Sequence, residues 1–148
     1  MKSLQEIFDT VTNHLLTQQC RAENDTHVCR YRVTDEEDVV LKCAVGCLID
    51  DQHYNPGMEG RSLPKTLSAL NSELRAQNDF LYSKLKLLVE ALEQSGLPVR
   101  EDGALVPLLA HLQYIHDDTR PQHWEGHLVE AAQAFGLTFN FRHNHDVK

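Results

Sequence analysis

The sequence has no long apolar run, no excess of positive charge and no dense set of cysteines, and each absence excludes a class of protein. No stretch of about 18 apolar residues is present, so a transmembrane helix is not expected. Residues Met1 to Glu6 lack the uninterrupted apolar stretch of a secretory signal peptide. We therefore expect a cytoplasmic protein without membrane association.

Positive charge is in deficit along the chain. Against 14 Lys and Arg residues stand 22 Asp and Glu residues, so the formal net charge at pH 7 is -8. Such an excess of negative charge opposes binding to the phosphate backbone of nucleic acids. Direct nucleic-acid binding is therefore not expected.

Cysteine is too sparse for a disulfide-stapled fold, and the four residues are expected to be reduced, buried thiols. They are Cys20, Cys29, Cys43 and Cys47. No Cys-x-x-Cys pair is present, but Cys29, Cys43 and Cys47 with an imidazole offer the ligand types of a small structural zinc site. The core-thiol interpretation is preferred, and no cofactor is predicted.

What is present fits one globular domain of 148 residues, with 41% hydrophobic and 24% charged side chains. Apolar residues at helical spacing predict a first helix from Ser3 to Gln18. Ser3 and Glu6 form the Ser-x-x-Glu pattern of a capping box, which marks the start of that helix.

Alternating apolar residues then predict a β-hairpin with strands near 28–33 and 39–45. The loop between them is acidic and has no glycine, which favours a wide turn over a two-residue connection. The apolar run Cys43 to Ile49 is too short for its periodicity to decide, and we expect a strand that passes into a helix.

The second half of the chain is predicted to be helical. Leucines at helical spacing indicate two helices or one kinked helix, with Gln77 to Asp79 as the interruption. These leucines are Leu67, Leu70, Leu74, Leu81, Leu85, Leu88 and Leu92. The stripe is either internal core or the seam of a homodimer, and periodicity does not separate the two.

Two further helices follow, one around Leu105 to His116 and one that begins near Pro121 and ends at Gly136. Phe139 and Phe141 alternate and predict a short terminal strand before a flexible tail at about 142–148. The predicted fold class is therefore α+β: a mainly helical single domain over residues 1–148, with a small hairpin and about four to six helices.

Several strings resemble a group of small, uncharacterised proteins of bacteriophages and prophages. They are Cys29-Arg30-Tyr31-Arg32, the run from Lys42 to Asp51, Tyr54 with Pro56 and Glu59-Gly60, and Leu112-Gln113-Tyr114-Ile115-His116-Asp117-Asp118 with Trp124. The resemblance implies a phage-encoded, cytoplasmic accessory protein and supplies no catalytic or binding residue. One departure is Asp50, at a position where members often carry proline.

A cysteine-dependent enzyme is the catalytic alternative. Cys43 precedes an apolar segment whose helix dipole would lower the pKa of its thiol, and His116 with Asp117 would supply a base and an orienting carboxylate. His116 also shares a helical face with leucines, so a hydrogen-bonded core histidine is preferred. No catalytic residue is assigned, and the protein is predicted to be non-enzymatic.

The acidic tetrad at the predicted hairpin tip, Asp35, Glu36, Glu37 and Asp38, is the predicted interaction surface. An array of carboxylates can occupy a phosphate-binding groove of another protein. The preferred function is therefore to bind and modulate a host protein, either as an anti-defence inhibitor or on nucleic-acid-processing machinery.

Overall fold

The computed structural model of the chain describes residues 1–76 and 79–141. Over these ranges it contains five α-helices and one two-stranded antiparallel sheet, which confirms the predicted mainly helical α+β class. The helices are α1 (Leu4–Gln18), α2 (Leu67–Ala76), α3 (Asp79–Gln94), α4 (Leu105–Asp118) and α5 (Trp124–Ala134), and the strands are β1 (Arg32–Thr34) and β2 (Val40–Lys42). The predicted tail at 142–148 lies outside the described residues.

Helix α1 begins at the predicted capping box. The Ser3 hydroxyl accepts a hydrogen bond from the backbone N–H of Glu6 at 3.1 Å, and the Glu6 carboxylate accepts one from the N–H of Ser3 at 3.0 Å. The buried face of α1 packs against α4, α5 and the turn at 46–48. Helix α1 is therefore the central element against which both halves of the chain assemble.

The hairpin is confirmed, but its strands are shorter than predicted. The strand pairing ends at Lys42, whereas the prediction extended β2 to residue 45. After Cys43 the backbone bonds locally, with the N–H of Cys47 donating to the carbonyl of Cys43 at 3.0 Å, and a 3₁₀ helix forms at Gly46–Leu48. The predicted strand over the start of the Cys43 to Ile49 run is therefore wrong.

The predicted wide turn is present and is organised by Asp35. The N–H of Asp38 donates to the carbonyl of Asp35 at 3.1 Å, and the N–H of Asp35 donates to the carbonyl of Val39 at 2.9 Å. Asp38 has a φ of 62°, in the left-handed region. A three-residue loop with a left-handed third residue is one of the common hairpin connections, and aspartate tolerates that conformation.

Most leucines of the stripe pack in or against the hydrophobic core of the chain. Leu70, Leu85, Leu88 and Leu92 are at most 1% exposed and belong to the core, while Leu67 and Leu74 are partly buried against it. Leu81 lies outside the residues whose side chains the structure describes. A homodimer through this stripe stays a prediction, which light scattering of the purified protein tests.

The predicted strand at Phe139 and Phe141 is wrong, because residues 138–141 follow α1 through side-chain bonds instead of pairing with a strand. The amide of Gln5 donates to the carbonyl of Thr138 at 2.8 Å, and the N–H of Thr138 donates back to Gln5 at 2.9 Å. No helix within the described ranges is both long enough and apolar enough to cross a bilayer.

Asp50, which departs from the resembling proteins, takes a conformation that proline also adopts. Its φ is -61°, and its N–H donates to the hydroxyl of Ser95 at 2.9 Å. The aspartate therefore keeps the turn before the 3₁₀ helix at Asp51–His53 and adds a hydrogen bond that proline has no N–H to make.

The close approach of Gly46 to Tyr31, the residue before β1, yields a stability prediction. A Cβ atom at Gly46 would lie 2.1 Å from the carbonyl oxygen of Tyr31. We expect Gly46→Ala to lower the free energy of unfolding by about 2–4 kcal/mol, because backbone would have to move. Chemical denaturation measures the change.

The matched control is Gly126→Ala in the first turn of α5, where a Cβ atom would meet nothing within 4 Å. We expect it to raise the stability by about 0.5–1 kcal/mol, because alanine has the better helix propensity. Equal effects of the two substitutions would contradict the close approach.

Candidate functional site

Polar side chains from distant parts of the chain meet at the C-terminal end of α4. The Cys29 sulfur, a ring nitrogen of His116 and a carboxylate oxygen of Asp117 all lie within 4.8 Å of one another. We call these three residues the thiol–imidazole–carboxylate cluster. Sequence analysis paired His116 and Asp117 with Cys43, whereas the structure places Cys29 beside them.

His116 has no exposed surface, and both of its ring nitrogens are occupied. The N–H of Ala22 donates to Nε2 at 3.0 Å, and Nδ1 lies 2.6 Å from Oδ1 of Asp117. Because a backbone N–H only donates, Nε2 is the acceptor, so the hydrogen-bond network assigns the ring proton to Nδ1. The ring also stacks on Trp124, with centroids 5.5 Å apart.

Arg21 binds the end of the same helix. Its Nε donates to the carbonyl of His116 at 3.1 Å, and its Nη2 donates to the carbonyl of Thr119 at 2.5 Å. The last carbonyls of a helix lack intrahelical donors, and a cation there also interacts favourably with the helix dipole. Arg21 and Ala22 therefore fasten the segment after α1 onto α4.

Asp117 is held from a second side by Gln113, one turn earlier on α4. The Gln113 amide donates to Oδ1 of Asp117 at 2.7 Å, and its carbonyl accepts the N–H of Val45 at 3.0 Å. The chain of bonds therefore links the segment after β2 to α4. The Asp117 side chain keeps 30% exposure, so the carboxylate is fixed in orientation and still reaches solvent.

The Cys29 thiol is protonated at neutral pH. Burial, followed by the negative charge of Asp117 and a hydrogen bond to it, raises the pKa of Cys29 to about 12. A thiolate is required for nucleophilic attack and for metal binding. Cys29 therefore acts as a hydrogen-bond donor to the carboxylate in this arrangement.

A half-open pocket of about 220 Å³ lies over this cluster, between the segment before β1, the loop after Met58 and α4. All four of the quoted strings that carry the phage resemblance contribute residues to its wall, although they are far apart in sequence. The lining residues include Cys29, Arg30, Tyr31, Cys43, Glu59, Gly60, Gln113 and Asp117.

Glu59 holds the far wall of the pocket and is 9% exposed. Its carboxylate accepts the backbone N–H groups of Tyr31 at 2.9 Å and Arg32 at 3.2 Å, and the hydroxyl of Tyr54 at 2.6 Å. Burial, together with this bond to Glu59, raises the pKa of Tyr54. The buried carboxylate is thus fully used to fix the loop against β1.

Cys43, the sequence-predicted nucleophile, lies in the core with 1% exposure. Burial raises the pKa of its thiol well above the usual value, and its sulfur accepts the N–H of Gly46 at 3.2 Å. The catalytic alternative requires a thiol with a low pKa and an imidazole with an unoccupied nitrogen. Cys43 and His116 provide neither. The geometry does not favour catalysis by this pair.

The zinc alternative fits the geometry no better. Cys29 and Cys43 line one pocket, whereas Cys47 lines a different groove beside α1. In the cluster, Nδ1 of His116 and Oδ1 of Asp117 are 2.6 Å apart, whereas two ligands of one tetrahedral zinc ion are separated by about 3.3 Å. A metal on Nδ1 would also require a proton on Nε2, which faces the N–H of Ala22.

The predicted interaction residues lie where expected, at the tip of the hairpin, but they divide into two kinds. Asp35 is half-buried, and its Oδ1 accepts the N–H groups of Glu37 at 2.8 Å and Val39 at 2.9 Å. Glu36, Glu37 and Asp38 are exposed. Asp35 therefore builds the turn, and the other three acids present charge.

Apolar surface adjoins these acids, which sequence analysis did not predict. Val39 and Val40 are each 50% exposed, among the few large apolar side chains exposed to that degree in the described part of the chain. Their β-branched side chains fit the strand that contains or borders them. The structural roles of Arg21 and Gln113 were also missed, because only the folded chain brings them to α4.

No protein-family model, curated protein or solved structure matches this chain. The resemblance to phage proteins therefore stays a prediction from the quoted strings.

The first prediction from the site concerns His116. We expect His116→Phe to lower the free energy of unfolding by about 2–4 kcal/mol, because the buried N–H of Ala22 loses its acceptor and Asp117 loses a donor, while stacking on Trp124 is kept. Denaturant titration measures the loss, and hydrogen exchange of the Ala22 amide should accelerate. His123→Phe, at an exposed position, is the control; similar stabilities of the two variants would contradict the network.

The second prediction concerns the thiols. The expectation of four buried thiols is wrong for Cys20, which is exposed, whereas Cys43 is buried and Cys29 and Cys47 are partly buried. Burial raises the pKa of Cys29 and of Cys47 to about 12. We expect one rapid equivalent of reaction with a disulfide reagent at neutral pH, and four after unfolding. A rapid reaction that persists in Cys20→Ser would instead reveal an activated thiol.

Proposed function

We propose that this chain is a non-enzymatic accessory protein of phage type, which binds and modulates a host protein in the bacterial cytoplasm. The observation that carries the proposal is the hairpin tip, where exposed acids lie beside exposed valines on a rigid turn. The phage setting is supported by the resembling strings, and the mode of action by the surface chemistry.

A non-enzymatic role is supported by the bonding of the imidazole, thiol and carboxylate groups of the site. Both nitrogens of His116 are engaged, the thiols of Cys29 and Cys43 are protonated, and the carboxylate of Glu59 holds three donors. A catalytic acid, base or nucleophile needs a group that is available to a substrate. The cluster instead fixes the position of the hairpin.

The tip combines the two contributions that a protein interface needs. Glu36, Glu37 and Asp38 supply three exposed negative charges, and Val39 with Val40 supplies apolar surface next to them. Charge complementarity speeds association and selects partners, while apolar contact supplies much of the affinity. The partner class that fits is a protein with a basic surface around an apolar patch, such as a phosphate-binding groove of nucleic-acid-processing machinery.

The turn is ordered before any partner arrives. Two backbone N–H groups are bound to the Asp35 carboxylate, and the strands below are fastened to α1 and to Glu59. A rigid binding loop loses little conformational entropy on association, so more of the contact energy appears as affinity.

Affinity capture from the natural host tests the proposal. The variant Glu36→Gln, Glu37→Gln, Asp38→Asn removes three charges and leaves Asp35, because Asp35 builds the turn. We expect the specifically captured protein to be reduced at least tenfold relative to the unmodified chain.

The matched control removes the same charge elsewhere, at the exposed residues Glu90, Glu101 and Glu130. We expect Glu90→Gln, Glu101→Gln, Glu130→Gln to retain capture. Equal loss in both variants would mean that only overall charge matters, and no specific partner in any sample would sink the proposal.

A further inference from the structure

On the outer edge of β2, some backbone N–H and C=O groups point away from β1. In the hairpin, Asp35 bonds to Val39 and Cys43 bonds to Tyr31 across the strands. Hydrogen-bonded pairs alternate with non-bonded pairs in an antiparallel ladder, so the backbone groups of Val40 and Lys42 point away from β1. They point to the side on which α1 lies.

At Lys42 this outer edge is covered by side chains of α1. The amide oxygen of Gln18 accepts the N–H of Lys42 at 3.0 Å. The carbonyl of Lys42 accepts from Nε2 of His14 at 2.8 Å and from the Gln18 amide at 2.9 Å. Burial lowers the pKa of His14, which keeps the ring neutral at physiological pH. Proteins cover exposed strand edges in this way to prevent unwanted pairing.

At Val40 the edge is open. Val40 is 50% exposed and forms the rim of a groove of about 450 Å³ between α1 and β2. Thr10, Asn13 and Thr17 line the opposite side of this groove and offer uncharged hydroxyl and amide groups. The acids of the hairpin tip begin two residues away along the chain, at Asp38.

We infer that the Val40 edge is a strand-addition site for a short, extended, basic segment of the partner protein. One residue of that segment exchanges two hydrogen bonds with the backbone of Val40, and its neighbouring Lys or Arg reaches Glu37 and Asp38. This inference rests on the proposed function and specifies the chemistry of the partner.

Two features select this occupant. Gln18 and His14 block pairing beyond Lys42, so a long strand does not fit but a contact of one or two residues does. Side chains two residues apart on a strand lie on the same face about 7 Å apart, which places a basic residue beside the acids when the central residue pairs with Val40. Charge complementarity therefore requires a basic segment.

The test uses the full chain, ¹⁵N-labelled, with two peptide probes in an NMR titration. The basic probe is acetyl-Arg-Val-Arg-Val-Arg-amide, and the control is acetyl-Glu-Val-Glu-Val-Glu-amide. We expect the basic probe to shift the amide signals of Val40, Asn13 and Thr17, and the acidic probe to leave them unchanged.

Two variants at the edge separate pairing from simple charge attraction. Val40→Pro removes the outward N–H without removing a bond to β1, and we expect it to weaken the basic probe about tenfold. Val40→Thr keeps the N–H and the β-branch and should bind within about twofold of the unmodified chain. Gln18→Ala uncovers Lys42 and should tighten binding, which provides a second measurement if the proline variant does not fold.

The outcomes distinguish this inference from the proposed function. Shifts confined to Glu36, Glu37 and Asp38, with unchanged affinity in Val40→Pro and Gln18→Ala, overturn the strand-addition site and leave the acidic tip as the binding surface. An absence of shifts with either probe also overturns the strand-addition site. Failure of the capture experiment from the host overturns the proposed function itself, whatever the peptides do.

Discussion

The two-sided hydrogen bonding of His116 is the constraint on which the rest of the structure depends. A neutral imidazole has one donor and one acceptor, and the fold supplies an acceptor at Nδ1 and a donor at Nε2. Each partner lies on a different part of the chain, so the ring joins the segment after α1 to the end of α4. Burial of the ring against Trp124 keeps water from competing for either bond.

Further contacts connect His116 to the hairpin. Asp117, oriented by His116 and Gln113, receives the thiol of Cys29, and the segment that contains Cys29 continues directly into β1. Glu59 then fixes the start of β1 from the opposite side. The short two-stranded sheet is therefore held by hydrogen bonds and packing from other parts of the chain, which an isolated hairpin would lack.

Local signals in the sequence predicted most of the elements. Ser3 with Glu6 marked the start of α1, and Gly136, which lies in the left-handed region, marked the end of α5 as expected. The acidic loop without glycine correctly indicated a wide turn. These features depend on neighbours within a few residues, which is why a single sequence reveals them.

The site could be predicted only in part. Sequence analysis selected His116 and Asp117 but joined them to Cys43, because a thiol before an apolar segment resembles an activated nucleophile. Which thiol reaches the imidazole depends on how the chain crosses α4, and no local pattern encodes that crossing. The apolar run from Cys43 was ambiguous for a related reason, since the contact of Gly46 with Tyr31 decides its path.

The hydrogen bonds of His116 also constrain the order in which contacts can form while the chain is synthesised. The residues it connects, Ala22 and His116, are 94 positions apart, so the N-terminal third of the chain leaves the ribosome long before its partner is synthesised. Until α4 emerges, the Cys29 thiol lacks the carboxylate of Asp117, and the segment before β1 lacks its contact with α4. The turn at Asp35 can form from its own neighbours, whereas the support of the hairpin by α4 becomes possible only after His116 and Asp117 have been synthesised.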